Sequence, residues 1–94
     1  MKIDERTFEF SLRIIKLCRH LNKLTGIDRT LAKQLLRSGT SVGANAAEAQ
    51  AAQSKPDFIS KMSLASNEAR ETLDWLRLIN KATPIPSDNL PDLI

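Results

Sequence analysis

The sequence "RSGTSVGANAAEAQAAQ", Arg37–Gln53, decides how this chain folds. It continues an amphipathic helical pattern, but it contains two glycines and no apolar side chain larger than valine. A glycine inside a helix costs about 1 kcal/mol relative to alanine, so a helix that keeps two of them needs a compensating contact. We expect that contact to be the close approach of a second backbone.

Small residues recur at every fourth position of this stretch, which places them on one side of a helix. Such a row lets another helix pack closely, as it does between membrane helices, although here in water. A phosphate-binding loop is the alternative for Ser38–Asn45, but this segment matches neither glycine-rich phosphate motif and no strand precedes it. The predicted helix-packing row consists of Gly39, Gly43, Ala47 and Ala51.

Hydrophobic residues recur with helical spacing along the whole chain, and no segment alternates with the period of a strand. The pattern predicts one all-α domain, residues 1–94, with helices over about 4–24, 28–52 and 55–81 and a fourth that starts near 87–94. The boundary signals are Gly26 after the first helix, Asp28 as cap of the second, and Ser54 with Pro56 at the start of the third.

Two of these helices carry more apolar surface than one helix contact can bury. The chain has 94 residues, and a core of that size is marginal, so association with further copies would stabilise it. On the third helix the second apolar ridge is interrupted by acids, which we expect to face Arg or Lys from a neighbouring subunit. The predicted interface residues of this helix are Leu64, Glu68, Glu71 and Trp75.

Positive charge is concentrated in the first part of the chain. Residues 1–37 hold nine Lys and Arg against four Asp and Glu, whereas residues 38–94 hold five against seven. A basic face of this kind is typical of proteins that contact the phosphates of nucleic acids. The alternative is a structural bundle whose charged faces serve only self-assembly. The predicted nucleic-acid-binding residues are Arg13, Lys16, Arg19, His20, Lys23, Arg29, Lys33 and Arg37.

The segment from Arg37 to Ile79 resembles the four helix bundle protein family, small bacterial proteins of which some are encoded in intervening sequences of ribosomal RNA genes. The shared features are the small-residue stretch with Ala-Glu-Ala, then Phe-Ile-Ser-Lys from Phe58, Glu-Ala-Arg-Glu-Thr-Leu from Glu68, and Trp-Leu-Arg-Leu from Trp75. The family is also similar to the accessory variability proteins of diversity-generating retroelements.

This resemblance implies an antiparallel up-and-down four-helix bundle whose fourth helix is truncated or only begun in this chain. It also implies a ring-like homo-oligomer, typically a pentamer, with a basic surface that meets nucleic acid. In the retroelement branch a reverse transcriptase and its RNA are the partners.

Enzymatic and membrane functions are not predicted. Metal-binding helical bundles use Glu-x-x-His pairs, but Glu68 and Glu71 have no such histidine, and the single histidine, His20, lies among cations. We therefore expect no catalytic residue, metal or cofactor. Charges near the N-terminus argue against a signal peptide, and the longest charge-free internal run, residues 38–47, is half the ~20 residues that span a membrane. The single cysteine excludes an internal disulfide, which is typical of proteins in a reducing compartment, so the protein is expected to be cytoplasmic.

Overall fold

The computed structural model describes residues 2–24 and 26–82, which form three α-helices and no strand. Helix α1 spans Ile3–Leu21, α2 spans Ile27–Gln50 and α3 spans Lys55–Ala82. The all-α class and the three long helices are as predicted. The predicted fourth helix, near residues 87–94, lies outside the described residues.

The connection between α1 and α2 differs from the prediction at both of its ends. Helix α1 ends three residues early, because Lys23 and Leu24 donate to carbonyls only three residues back and so tighten the last turn. Gly26 takes the left-handed φ of +66° predicted for it. Helix α2 begins directly after this glycine, so Asp28 lies in its first turn and the prediction that Asp28 is the cap was wrong.

The start of α3 agrees with its sequence signals. Ser54 Oγ accepts a hydrogen bond of 3.1 Å from the backbone N–H of Asp57, and Pro56 lies in the first turn. Proline is well placed there because the first turn has no acceptor for its missing N–H. Helix α2 ends at Gln50, two residues before the predicted end, in a turn where Ala51 and Ala52 donate to carbonyls three residues back.

Helices α1 and α2 are antiparallel and pack closely at the two glycines. A Cβ added to Gly39 would lie 2.7 Å from Cγ2 of Ile14, and one added to Gly43 would lie 3.0 Å from Oγ of Ser11. Because no side chain larger than hydrogen fits at Gly39 without displacing Ile14, this glycine fixes the distance between the helices. At these two positions of the small-residue row, α1 lies close to α2.

The same row is not covered along its whole length. Ala47 is exposed, and Ala51 is exposed and lies just beyond the end of α2. Helix α1 begins at Ile3 and reaches α2 near Gly43 through Thr7 and Ser11, so little of it remains to cover the last turns of α2. The described residues leave Ala47 and Ala51 exposed, so a helix contact at these two positions stays a prediction.

Helices α2 and α3 are also antiparallel, and a polar pair sets their register. Ser38 and Thr72 are buried, and their hydroxyl oxygens lie 3.1 Å apart. The hydroxyl of Thr72 also lies 2.7 Å from the backbone oxygen of Glu68 on its own helix. A buried hydroxyl that loses its partner costs free energy, so this pair favours one alignment of the two helices over others.

Helix α2 lies between the other two helices. It packs against both α1 and α3, while the described parts of α1 and α3 make no close backbone approach to each other. One hydrophobic cluster nevertheless includes side chains of all three. Its buried members are Ile14, Leu17, Cys18, Leu21, Ala32, Leu35, Leu76 and Ile79.

Two aromatic side chains of the apolar ridges are at the surface. Phe8 is 63% exposed and Phe58 is 41% exposed. Phe8 lies on a side of α1 away from the buried Ile14 and Leu17, whereas Phe58 lies in the first turn of α3, on the side that buries Ala65 further along. The helical spacing identified these ridges correctly, but spacing alone does not tell which of two ridges on a helix meets its neighbour.

Candidate nucleic-acid interface

Most of the predicted basic residues lie at one end of the α1–α2 hairpin. Because the two helices are antiparallel, the last turns of α1 are beside the first turns of α2. Cys18 Sγ donates to the backbone oxygen of Ala32 at 3.4 Å, and Arg29 Nε donates to Asn22 Oδ1 at 3.4 Å. Residues 10–37, which form this end, carry seven Lys and Arg and a single acid, Asp28.

The cations of α1 are exposed on the side of the helix opposite the core. Ile14, Leu17, Cys18 and Leu21 are buried on one side, whereas Lys16, Arg19 and His20 are exposed. Arg19 lies in the last turn of α1, where the helix dipole favours positive charge, and His20 lies beside it. The predicted basic residues that are exposed here are Arg13, Lys16, Arg19 and His20 on α1 and Lys23 in the turn that follows it.

On α2, Arg29 and Lys33 are exposed and belong to the same end of the molecule. Lys33 and Arg19 line one groove between α1 and α2, so cations from two helices face a common space. We refer to Arg13, Lys16, Arg19, His20, Lys23, Arg29 and Lys33 together as the basic end.

Arg37 was predicted to belong with these residues, but the structure engages it elsewhere. Its Nη1 lies 3.4 Å from Glu68 Oε2, and its Nη2 forms an ion pair with Glu71. The hydrogen bond to Glu71, more than any other cause, raises the pKa of the Arg37 guanidinium above its ordinary value. Arg37 therefore joins α2 to α3, and its charge is balanced within the chain.

This arrangement corrects the prediction for Glu68 and Glu71. We expected both acids to face cations of a neighbouring subunit, and the structure instead pairs both with Arg37 of the same chain. A second such pair connects the same two helices, since Lys61 Nζ lies 3.0 Å from Glu48 Oε2. Glu68 and Glu71 lie on α3 as predicted, but the side chain that they meet is Arg37 of α2 in the same chain.

The other two predicted interface residues have different surroundings. Leu64 is 45% exposed, whereas Trp75 is half-buried and packs against the core of its own chain. The indole Nε1 of Trp75 is buried and has no hydrogen-bond partner among the described residues. Packing within the chain thus accounts for Trp75, and Leu64 remains available for contact with another molecule.

Features of other kinds of site were also sought in the described residues. Within residues 2–24 and 26–82, no three His, Cys, Asp or Glu side chains come together in a way that could hold a metal ion. Burial of Cys18 raises the pKa of its thiol to about 11, which keeps it protonated and unreactive at neutral pH. None of the three described helices has an apolar stretch long enough to cross a bilayer.

Comparison with known proteins gives the family. The whole chain, residues 1–94, matches the family described as 23S rRNA-intervening sequence protein. The chain belongs to this family. A similar solved structure is a protein of unknown function from the S23 ribosomal protein family of Bacteroides thetaiotaomicron VPI-5482, determined at 1.70 Å resolution.

That structure and the present chain are 38% identical, with a TM-score of 0.86 over 98% of this chain and 84% of the other. The comparison with curated proteins finds no match. The resemblance to proteins encoded in ribosomal RNA intervening sequences is therefore confirmed, and the chain shares its fold with that solved structure.

Sequence reasoning missed the two buried hydroxyls of the α2–α3 contact. A signal was present, because Thr72 is spaced from Ala65, Leu76 and Ile79 as one side of a helix. A polar residue on an otherwise apolar ridge needs a partner when it is buried. The sequence did not reveal that Ser38 would provide it.

Proposed function

We propose that this protein is a non-enzymatic, cytoplasmic helical bundle that binds nucleic acid through the basic end. The observation that carries the proposal is the collection of seven predicted cations at one end of the α1–α2 hairpin, where residues 10–37 contribute only one acid. Phosphates would bind there by charge, with release of counterions from the nucleic acid. Nothing in this arrangement offers a defined base-reading module, so recognition would depend on charge and shape.

The alternative is a bundle whose charged faces serve only self-assembly, and the ion pairs within the chain argue against it. Such assembly needs acids on one copy to meet the basic end of another. Glu68 and Glu71 are occupied by Arg37, and Glu48 is occupied by Lys61. Fewer acids therefore remain to meet the basic end of another copy.

Self-association is a further part of the proposal, because the described residues leave large apolar side chains at the surface. A protein of this size rarely exposes many such residues unless they meet a partner. We infer that some of them are covered by a fourth helix that begins near residue 87 and others by further copies in a ring, a pentamer by family resemblance. The exposed residues are Ile3, Phe8, Leu24, Ile27, Leu36, Phe58, Ile59, Leu64 and Leu78.

Light scattering of a Leu64→Glu variant tests the assembly, since Leu64 is 45% exposed on the outer side of α3. A buried charge at an interface would lower the mass of the particle. Ser63→Glu, at the neighbouring exposed position, is the matched control and should leave the mass unchanged. Equal masses for both variants and the original protein would remove Leu64 from the interface.

A reverse transcriptase with its RNA is the protein partner that the retroelement resemblance adds to the proposal.

The binding proposal is tested by measuring affinity for a structured RNA and for a DNA duplex over a series of salt concentrations. In one variant Lys16, Arg19 and Lys23 are changed to Gln. If each of these cations contacts a phosphate, the slope of log K against log salt becomes shallower by about 2 to 3. The variant should keep the assembly state of the original protein.

The matched control removes the same amount of charge from the exposed surface of α3, by changing Arg70, Arg77 and Lys81 to Gln. It should retain nearly all of the affinity. An equal loss in both triple variants would mean that net charge alone governs binding, and no binding by the original protein at low salt would overturn the proposal.

A further inference from the structure

The groove between α1 and α2 within the basic end has an apolar floor. Its volume is about 370 Å³, in the range of sites for small molecules, which are about 300–1,000 Å³. Cys18 and Ala32 are buried at the bottom, and the apolar side chains of Ile15 and Leu36 form its sides. Leu36 is 39% exposed, so a large apolar surface faces the open groove.

The two edges of this groove carry cations, one from each helix. Arg19 lies on the α1 edge and Lys33 on the α2 edge, and none of the described residues that line the groove is acidic. Asn22 lies beside Arg19, and its Oδ1 accepts a hydrogen bond of 3.4 Å from Arg29 Nε. This bond leaves the amide N–H groups of Asn22 as donors at the groove.

We propose that the groove binds one unpaired nucleotide of a nucleic-acid strand, an inference that rests on the proposed function. The base would lie on the apolar side chains of Ile15 and Leu36, and its phosphate between Arg19 and Lys33. A base has an apolar face that gains from burial, and its phosphate needs the opposite charge that the two edges supply.

Paired and unpaired nucleotides differ in what they present to such a groove. In a duplex the bases are stacked inside the helix, so the protein meets phosphates and base edges but no base face. An unpaired base can leave the stack and enter the groove. The preferred substrate is therefore a strand with a bulge or loop, while a regular duplex binds through the cations alone.

The test compares a short RNA duplex that carries one unpaired adenosine with the same duplex without it. We expect roughly three- to tenfold tighter binding of the bulged RNA. This is the low end of the gain from stacking a base on side chains, because Ile15 and Leu36 are aliphatic and not aromatic. Leu36→Gln should abolish the preference for the bulged RNA and leave the affinity for the regular duplex unchanged. Leu78→Gln, on α3 and 56% exposed, is the control and should keep the preference.

The outcomes separate this inference from the proposed function. If the protein binds both RNAs equally, or if Leu36→Gln keeps the preference, the groove does not hold the base, although binding through the basic end stands. If neither RNA binds at low salt, both proposals are wrong. Adenosine monophosphate is tested in parallel, and binding of this nucleotide as tightly as the bulged RNA would overturn the claim that the ligand is part of a strand.

Discussion

The contact between Gly39 and Ile14 provides the sharpest test of how the helices pack. A methyl group at Gly39 would lie 2.7 Å from Cγ2 and 2.9 Å from Cγ1 of Ile14. Both atoms branch from Cβ of a fully buried side chain that has one strongly preferred rotamer in a helix, so they cannot move aside easily. Gly39→Ala must therefore displace the helix or strain the side chain.

The expected magnitude follows from two opposing effects. Replacement of glycine by alanine stabilises a helix by about 1 kcal/mol. Overpacking of a filled core costs about 1–3 kcal/mol. Gly39→Ala should thus lower the free energy of unfolding by up to about 2 kcal/mol. At Gly43 the nearest atom is Ser11 Oγ at 3.0 Å, a small side chain that can rotate, so Gly43→Ala should be neutral or stabilise the protein.

Urea denaturation followed by far-UV circular dichroism measures both variants at the same protein concentration. The background variant Ile14→Ala removes the three atoms that the new methyl group would meet. In that background Gly39→Ala should stabilise the protein by about 1 kcal/mol, since only the helix preference remains. The reasoning is refuted if Gly39→Ala stabilises the original protein as much as Gly43→Ala does.

Three further predictions concern the polar contacts and the cysteine. Thr72→Val should lower the free energy of unfolding in urea by about 1 kcal/mol, because it removes the hydrogen bond to Ser38, whose Oγ still donates to the backbone oxygen of Leu35; an unchanged free energy would contradict this. Arg37→Gln should lower the urea midpoint at low salt, less so at high salt, and should reduce RNA affinity less than Lys16→Gln does. Cys18 should resist alkylation at neutral pH until the protein unfolds, and rapid labelling of the folded protein would contradict its burial. Because burial raises the pKa of the Cys18 thiol from 9.0 to about 11, its contribution to stability should be complete below pH 9 and lost as the pH rises towards 11.

The sequence predicted the helices and the glycine contact because both depend on local spacing. The glycines at positions 39 and 43 lie one turn apart, and only a close neighbour accounts for them. How far the neighbouring helix extends along α2 cannot be inferred from the sequence around the two glycines. Ala47 is exposed because α1 begins at Ile3, and nothing in the small-residue row itself marks this limit.

The candidate site was predicted less completely, for a related reason. The basic residues of α1 occupy the side opposite its own apolar residues, so their exposure could be inferred from one helix. Arg37 differs because its partners are on α3, and its pairing with Glu68 and Glu71 depends on how α3 is rotated against α2. That rotation is set by contacts such as Ser38 with Thr72, which join residues 34 positions apart in the sequence.

Mapping the surface that RNA protects is the most direct test of binding through the basic end. Limited acetylation followed by mass spectrometry reports the reactivity of each lysine with and without a structured RNA. We predict protection of Lys16, Lys23 and Lys33, and unchanged reactivity of the exposed Lys55 and Lys81 on α3. Protection of the lysines of α3 instead, or no protection at all by an RNA that binds, would contradict the account.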